Sequence, residues 1–142
     1  MLKVLVPVDG SECSDRAVDF ILKTTEWYKE APDYHLLTVH HHLPYGRLAS
    51  ALEHDKVQQY YHDEGLKALQ SARAKLDAAG VRHSFHVGVG DPAEVIAQYA
   101  REQRCDQVVM ATHGRGRMTG LLLGSVATKV LHLVTVPVLF VK

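Results

Sequence analysis

Short apolar runs rich in β-branched residues alternate with stretches of helical period along almost the whole of this 142-residue chain. Val4 to Val8 has no polar alternation, as expected of a strand buried on both faces of a parallel sheet. Leu36 to Val39, Val108 to Ala111 and Val136 to Val141 repeat that character. Val81 to Val89 is more one-sided and belongs nearer an edge. Strict βαβαβαβαβ alternation leaves few folds open, because parallel strands require crossovers, these are right-handed, and the helices then cover both faces. The predicted class is α/β: an open, doubly wound, Rossmann-like five-stranded parallel sheet in the order 3-2-1-4-5.

Local signals set the element boundaries. Ser11 or Ser14 can cap the first helix, whose apolar positions Ala17, Phe20, Ile21, Thr24, Trp27 and Tyr28 predict a run to about Glu30, stopped by Ala31-Pro32-Asp33. The second strand empties into His40-His41-His42-Leu43-Pro44-Tyr45-Gly46, read as a loop. Val57, Tyr60, Tyr61, Glu64, Leu66, Leu69, Ala72 and Leu76 mark a long amphipathic helix that Gly80 closes as an αL cap. Asp91-Pro92-Ala93-Glu94 is a helix start with an Asp N-cap, Pro at the first position and Glu at the third, and that helix runs to about Gln103. The last helix spans Ser125 to Val134. No repeat, low-complexity tract or linker breaks the chain, so one domain over 1–142 is expected.

Composition excludes several classes. Sixteen basic residues balance sixteen acidic ones and the sequence pI is about 7.2, which leaves no global field to gather nucleic acid or an anionic membrane. Cys13 and Cys105 have no paired spacing, so neither a disulfide framework nor a zinc knuckle is expected. MLKVLVPVDG is too brief an apolar run for a signal peptide or a membrane span, and a cytoplasmic location follows as the expectation.

In an open α/β sheet, ligands bind outside the carboxyl ends of the strands, where the strand order reverses. Strands one and four deliver Pro7, Val8, Asp9, Gly10 and Ser11, and Ala111, Thr112, His113, Gly114, Arg115 and Gly116. The second group continues to Gly124-Ser125 at the N-terminus of the last helix. Glycines admit a close backbone approach and helix-start amides attract anions, so this segment has the makings of a phosphate cradle, with Arg115 and Arg117 adding charge. It is neither a Walker loop nor a dinucleotide fingerprint, since GxxxxGK(S/T) and GxGxxG are both absent. A glycine-rich loop that merely joins strand to helix is the plainer alternative. The spacing itself reads A-x2-G-x9-G-S from Ala111 to Ser125.

That spacing resembles the G-x2-G-x9-G-S/T pattern of nucleotide-binding members of the universal stress protein family. The resemblance extends over nearly the whole chain: VLVPVDGSECS and LLTVHHHLP resemble the family's first two strands, GDPAEVI its third turn and helix, and THGRGRMTGLLLGSVATKVL with VPVLFVK its C-terminal signature. The resemblance implies an adenine nucleotide, ATP or else AMP or ADP, with Mg²⁺ carried by the phosphates. It places Asp9 and Val39 against the nucleoside, and Gly114, Gly124 and Ser125, with the Val126 amide, against the phosphates. Ala111 departs from the pattern, since the family has glycine there. If that glycine supplies a positive φ, Ala costs more than about 1 kcal/mol; if it supplies room, which a position extending a strand favours, the cost is one methyl group.

Single residues carry rival readings. Asp9 suits a ribose or a cation, and equally an Asx cap. His40, His41 and His42 invite a metal, yet adjacent strand residues point to opposite faces, so they are read as a polar loop beside the ligand. His113 could act as acid or base, but no nucleophile or orienting carboxylate completes a catalytic set, and a loop-packing role is favoured. Tyr60, Tyr61 and Trp27 are expected in the core rather than as a base-stacking platform, and both cysteines as small buried residues. The leading function is a sensing or signalling protein that holds ATP without turning it over. A slow ATPase or phosphotransferase with Arg115 and Ser125 as anchors, and a non-nucleotide interaction module permitted by Ala111, stand beside it. Val136 to Val141 carries no charge before Lys142, so the edge it forms is expected to pair across a two-fold axis in a homodimer, as the resemblance also implies.

Overall fold

Val4, Leu5 and Val6 can all be shielded from water only between two layers, and none of the three has exposed surface. The computed structural model describes residues 1–43, 51–114 and 122–142, with backbone alone at 51–53. Within them the order is β1 (Lys3–Pro7), α1 (Glu12–Thr24), β2 (Asp33–His40), α2 (Ala51–Ala78), β3 (His83–Val89), α3 (Pro92–Glu102), β4 (Gln107–Ala111), α4 (Ser125–Leu133) and β5 (Val138–Val141). The strands form one parallel five-stranded sheet in the order β3-β2-β1-β4-β5, as predicted. β1 is central: Val4 pairs with Tyr34 of β2 on one side and with Gln107 of β4 on the other.

Alternate residues of β1 feed opposite cores. Val4, Val6 and Val8 pack with Val18 and Ile21 of α1 and Leu69 and Leu76 of α2. Leu5 turns the other way, toward Ile96 and Ala100 of α3 and Val130 of α4. Each such buried aliphatic side chain contributes on the order of 1.5–3 kcal/mol. Polar links tie the helix pairs together at the surface: Lys75 Nζ donates to Asp19 Oδ1 at 2.8 Å, and Ser71 Oγ to Asp15 Oδ2 at 3.1 Å. Under α3, the buried His35 lies between Tyr99 Oη at 3.0 Å and Asp33 Oδ2 at 3.2 Å, so neither ring nitrogen is left without a partner.

Several boundaries and burial assignments need correction. α1 stops at Thr24 and passes into a 3-10 turn at Thr25–Trp27 instead of reaching Glu30. Thr24 Oγ1 donates back to the Phe20 carbonyl, and the side chains beyond have no core to enter. Trp27 is 72% exposed and Tyr60 42%, so of the three aromatics expected inside only Tyr61, at 5%, is there. Cys105 is buried, but Cys13 is only partly so, with Arg16 donating to its sulfur at 3.1 Å. Burial pushes the Cys105 thiol up. The last strand begins at Val138 rather than Val136, because Pro137 has no N–H to donate; its carbonyl still accepts from Val108 N at 2.9 Å. Ser11, of the two candidates, caps α1, and Gly80 takes φ +65° after α2.

Gly65, in mid-helix, sets how closely α2 lies on the sheet. A Cβ there would sit 2.5 and 2.6 Å from the two γ-methyls of Val87. Replacing an exposed mid-helix glycine by alanine ordinarily gains up to about 1 kcal/mol. Gly65→Ala is instead expected to destabilise by about 1–3 kcal/mol in urea unfolding, with Val87→Ala in the same chain recovering part of the loss. A stabilised single variant would show that α2 has room to move.

Candidate functional site

β1 continues past Pro7 through Val8, whose N–H still donates to the Leu37 carbonyl at 2.8 Å. The chain then turns at Asp9, where Oδ1 accepts from Ser11 N at 2.9 Å, and Gly10 takes φ +80°. Ser11 Oγ in turn accepts from Ser14 N and caps α1. Asp9 therefore forms the Asx turn. Its second oxygen, Oδ2, lies where a side chain on Gly114 would begin, so the lack of a Cβ at Gly114 is what lets the end of β4 close onto the carboxylate.

The β4 side is held as firmly. Thr112 N donates to the Val141 carbonyl at 3.1 Å, and the Thr112 carbonyl accepts from Gly124 N at 2.7 Å. Thr112 Oγ1 lies 3.2 Å from His113 Nδ1. Gly124 is the N-cap of α4 and brings no side-chain cap; a Cβ on it would come within 3.3 Å of the Thr112 carbonyl oxygen and 3.4 Å of His113 Cα. The first turns of α1 and α3 carry acidic residues, whereas that of α4 has none. First-turn amides have no partner within their helix, so this terminus presents positive potential with no built-in anion.

These pieces border one cavity of about 430 Å³ at the carboxyl ends of β1, β2 and β4. That volume is within the range of small-molecule sites. Pro7, Val8, Asp9, Val39, Ala111, Thr112, His113, Gly114, Gly124, Ser125 and Val126 all line it. Arg115 and Gly116, and with them Arg117, lie outside the described residues, as do Pro44, Tyr45 and Gly46 of the second loop. Ala111 belongs to β4; among described non-glycine residues only Arg104 has a positive φ, so the methyl of Ala111 takes up room and imposes no backbone strain.

The walls that sequence reasoning missed are mainly apolar. Leu37 and Met110 from the sheet, Ile96 from α3 and Ala68 from α2 form them, with Gly65 beside Ala68. The signal available for this wall was Gly65, an unexpected glycine inside a long helical pattern. Thr38, Glu64, His40 and His41 add polar groups, so the first two histidines of the triplet do stand beside the cavity. Among the described residues no three His, Cys, Asp or Glu side chains are grouped to hold a metal ion.

One ion-pair cluster joins the start of α3 to α4. Asp91 Oδ2, the N-cap of α3, accepts from Glu94 N at 3.1 Å and from Lys129 Nζ of α4 at 3.0 Å, with Glu94 Oε1 3.6 Å from the same ammonium. The Lys129 hydrogen bond, followed by that of the Glu94 amide, holds the Asp91 carboxyl below its ordinary value, and Asp91 raises Lys129 in return. The pair is half exposed, so the ionic part is weak and the cap is the larger contribution. A lowered carboxyl stabilises fully above about pH 3.9 and less as pH falls through the folded-state value. Asp91→Ala is therefore expected to cost about 1 kcal/mol at neutral pH. In urea unfolding at about pH 3 that cost should be smaller, and Asp91→Asn, which keeps the cap, should lose less at neutral pH. Equal losses for Asp91→Ala at both pH values would contradict the assignment.

Comparison with known proteins gives a consistent result. The universal stress protein family matches residues 1–142. Universal stress protein YxiE of Bacillus subtilis is 31% identical over 153 aligned positions, covering 99% of this chain and 98% of that protein. Among solved structures, protein MJ0577 of Methanocaldococcus jannaschii superimposes with a TM-score of 0.81 at 26% identity, covering 99% of this chain and 95% of the other. A universal stress protein solved in complex with cAMP superimposes with a TM-score of 0.71, again at 26% identity, covering 99% and 97%.

Proposed function

This chain belongs to the universal stress protein family, and from that we propose that it binds an adenine nucleotide, ATP or else AMP or ADP, in the cavity between β1 and β4. The observation that carries the reading is the cradle at Gly124. A helix N-terminus free of acidic residues and of a side-chain cap faces a cavity from which Gly114 and Gly124 withhold their side chains. Such a terminus suits phosphate oxygens, and Ser125, which lines the cavity, carries a hydroxyl of the kind that adds a hydrogen bond to them. The apolar walls at Val39, Ile96 and Met110 suit a flat heterocycle. The cAMP complex of a neighbour at 26% identity supports an adenine nucleotide in this family context. Mg²⁺ enters with the phosphates, since this ion is usually held by substrate phosphates with one or two carboxylates and not by an all-protein cage.

The role we assign is sensing or signalling in the cytoplasm, by one domain spanning 1–142, in preference to turnover. No helix among the described residues is long and apolar enough to cross a membrane. Isothermal titration with ATP·Mg²⁺ tests the site. Gly124→Asp is expected to abolish binding by adding bulk and negative charge to the cradle, and Ser125→Ala to weaken it by about 0.5–3 kcal/mol. Undiminished affinity in Gly124→Asp would move the site elsewhere. Steady phosphate release over hours would favour a slow ATPase, and no affinity for any adenine nucleotide would favour an interaction module.

We further propose a homodimer through β5. This strand is at the edge of the sheet, with Leu139 43% exposed and Leu131 and Leu133 of α4 similarly bare. An unpaired apolar edge is a hazard that a two-fold partner removes. Sedimentation at micromolar concentration is expected to give about twice 15.8 kDa, and Leu139→Lys to shift the protein toward monomer or insoluble material. A soluble wild-type monomer would refute the assembly.

A further inference from the structure

The cavity reaches both faces of the sheet, and the nucleotide proposed above occupies only one of them. Leu37, Val39 and Met110 belong to the core under α3 and α4. Val8 belongs to the opposite core, under α1 and α2. Alternation along each strand sets Thr38 on the side of Leu36 and Ala111 on the side of Val109, both members of that second core. With Ser14 of α1 and Glu64 and Ala68 of α2, they border a second compartment of the same cavity, on the face away from the Gly124 cradle.

Thr38 is anomalous among its neighbours. Leu36, Leu37 and Val39 around it are apolar, and Thr38 itself is 5% exposed, yet its hydroxyl makes no hydrogen bond with any described residue. A hydroxyl so placed costs free energy until a partner reaches it. Among the described residues the partnerless polar atoms sealed from all access are Asp15 Oδ1, Thr25 Oγ1 and Tyr34 Oη. The Thr38 oxygen is not one of them, so it opens onto the cavity that Thr38 lines. Ser14, 3% exposed, has committed its proton, since its Oγ donates to the Ser11 carbonyl at 3.0 Å and is left only to accept. Glu64 offers acceptors alone. Lys67 Nζ lies 3.1 Å from its Oε1 but is 74% exposed, and such a solvent-side pair holds the carboxylate weakly.

We propose that this compartment binds a primary alkylammonium group, its N–H donors shared among Ser14, Thr38 and Glu64 and its stem lying against Val8, Ala68 and Ala111. An ammonium brings three donors and no acceptor, the complement of a lining whose side-chain oxygens are free to accept. A charge-assisted hydrogen bond to the Glu64 carboxylate is the stronger kind. The three apolar residues suit a short alkyl chain. Because this ligand and a nucleotide lie on opposite faces of the sheet, the compartment does not rest on the nucleotide reading.

The probe is propylammonium, titrated into the wild-type chain with NMR detection of threonine and alanine methyls and backbone amides. Saturable shifts of the Thr38 and Ala68 methyls are expected at about 1–10 mM, the range open to a ligand of about four heavy atoms. Tetramethylammonium, a cation without N–H donors, should leave both methyls unmoved at the same concentrations. Glu64→Gln and Thr38→Val keep the side-chain shapes and should each weaken propylammonium, read at Ala68, by about threefold to tenfold. The contrast between the two cations is read in the wild type and does not depend on either variant folding. No shift with propylammonium overturns the compartment, as do equal shifts with tetramethylammonium or undiminished affinity in both folded variants. ATP·Mg²⁺ added to a parallel sample is read at the Gly124 and Ser125 amides. A response there with none to propylammonium overturns the compartment and leaves the nucleotide reading standing, whereas a response to propylammonium alone supports the compartment and counts against the nucleotide site.

Discussion

Everything functional in this molecule depends on β1 being hydrogen-bonded on both sides in the parallel sense. Parallel pairing sends every strand out at the same end of the sheet, and the order β3-β2-β1-β4-β5 places the reversal of winding at β1 and β4. From there α1 and α2 cover one face while α3 and α4 cover the other, so no crossover covers the ends of these two strands. The cavity is the space those departing connections leave. What makes it a candidate binding site is how closely its two lips approach. Gly114 admits the Asp9 carboxylate, and Gly124 N donates to the Thr112 carbonyl, so both sides of the crevice are fixed by backbone that a side chain would push apart.

Much of this was legible in the sequence because the signals are local or periodic. Unbroken β-branched runs identified doubly buried strands, and Asp91-Pro92 and Gly80 marked helix ends whose caps are present. The topological rule then pointed to the strand ends that border the cavity, without any long-range contact being known. What failed was information that depends on the partner. Trp27 has helical spacing, but a periodic pattern does not reveal that α1 runs out of sheet to cover at Thr24. Tyr60 and Tyr61 are adjacent, and which of them enters the core is decided by the orientation of α2 on β2 and β3. The apolar half of the cavity was missed for the same reason. Ile96, Ala68 and Met110 look like ordinary core residues, and only the packed structure shows that they border an open space.

The glycines divide into two kinds that sequence alone does not separate. Gly10 and Gly80 are required by backbone conformation, with φ of +80° and +65°. Gly65, Gly114 and Gly124 are required by distance, since each would bring a Cβ against a neighbouring atom. Ala111 tests this division from the other side. Its place in β4 needs no unusual φ, so its methyl takes up only room at the cavity wall.

Trp27 is the sole tryptophan of the chain, and it stands in the turn between α1 and β2, at the end of the sheet away from the cavity. Its ring touches Phe20 edge-on, with centroids 6.4 Å apart, and is otherwise largely in solvent. The molecule's intrinsic indole emission thus originates where the surroundings are already watery and remote from the cavity. Unfolding changes that environment little, and occupation of the cavity changes it less. Light emitted by this residue reports the state of the α1–β2 turn, and at the cavity end the intrinsic chromophores are tyrosines, Tyr60 and Tyr61 beside His40.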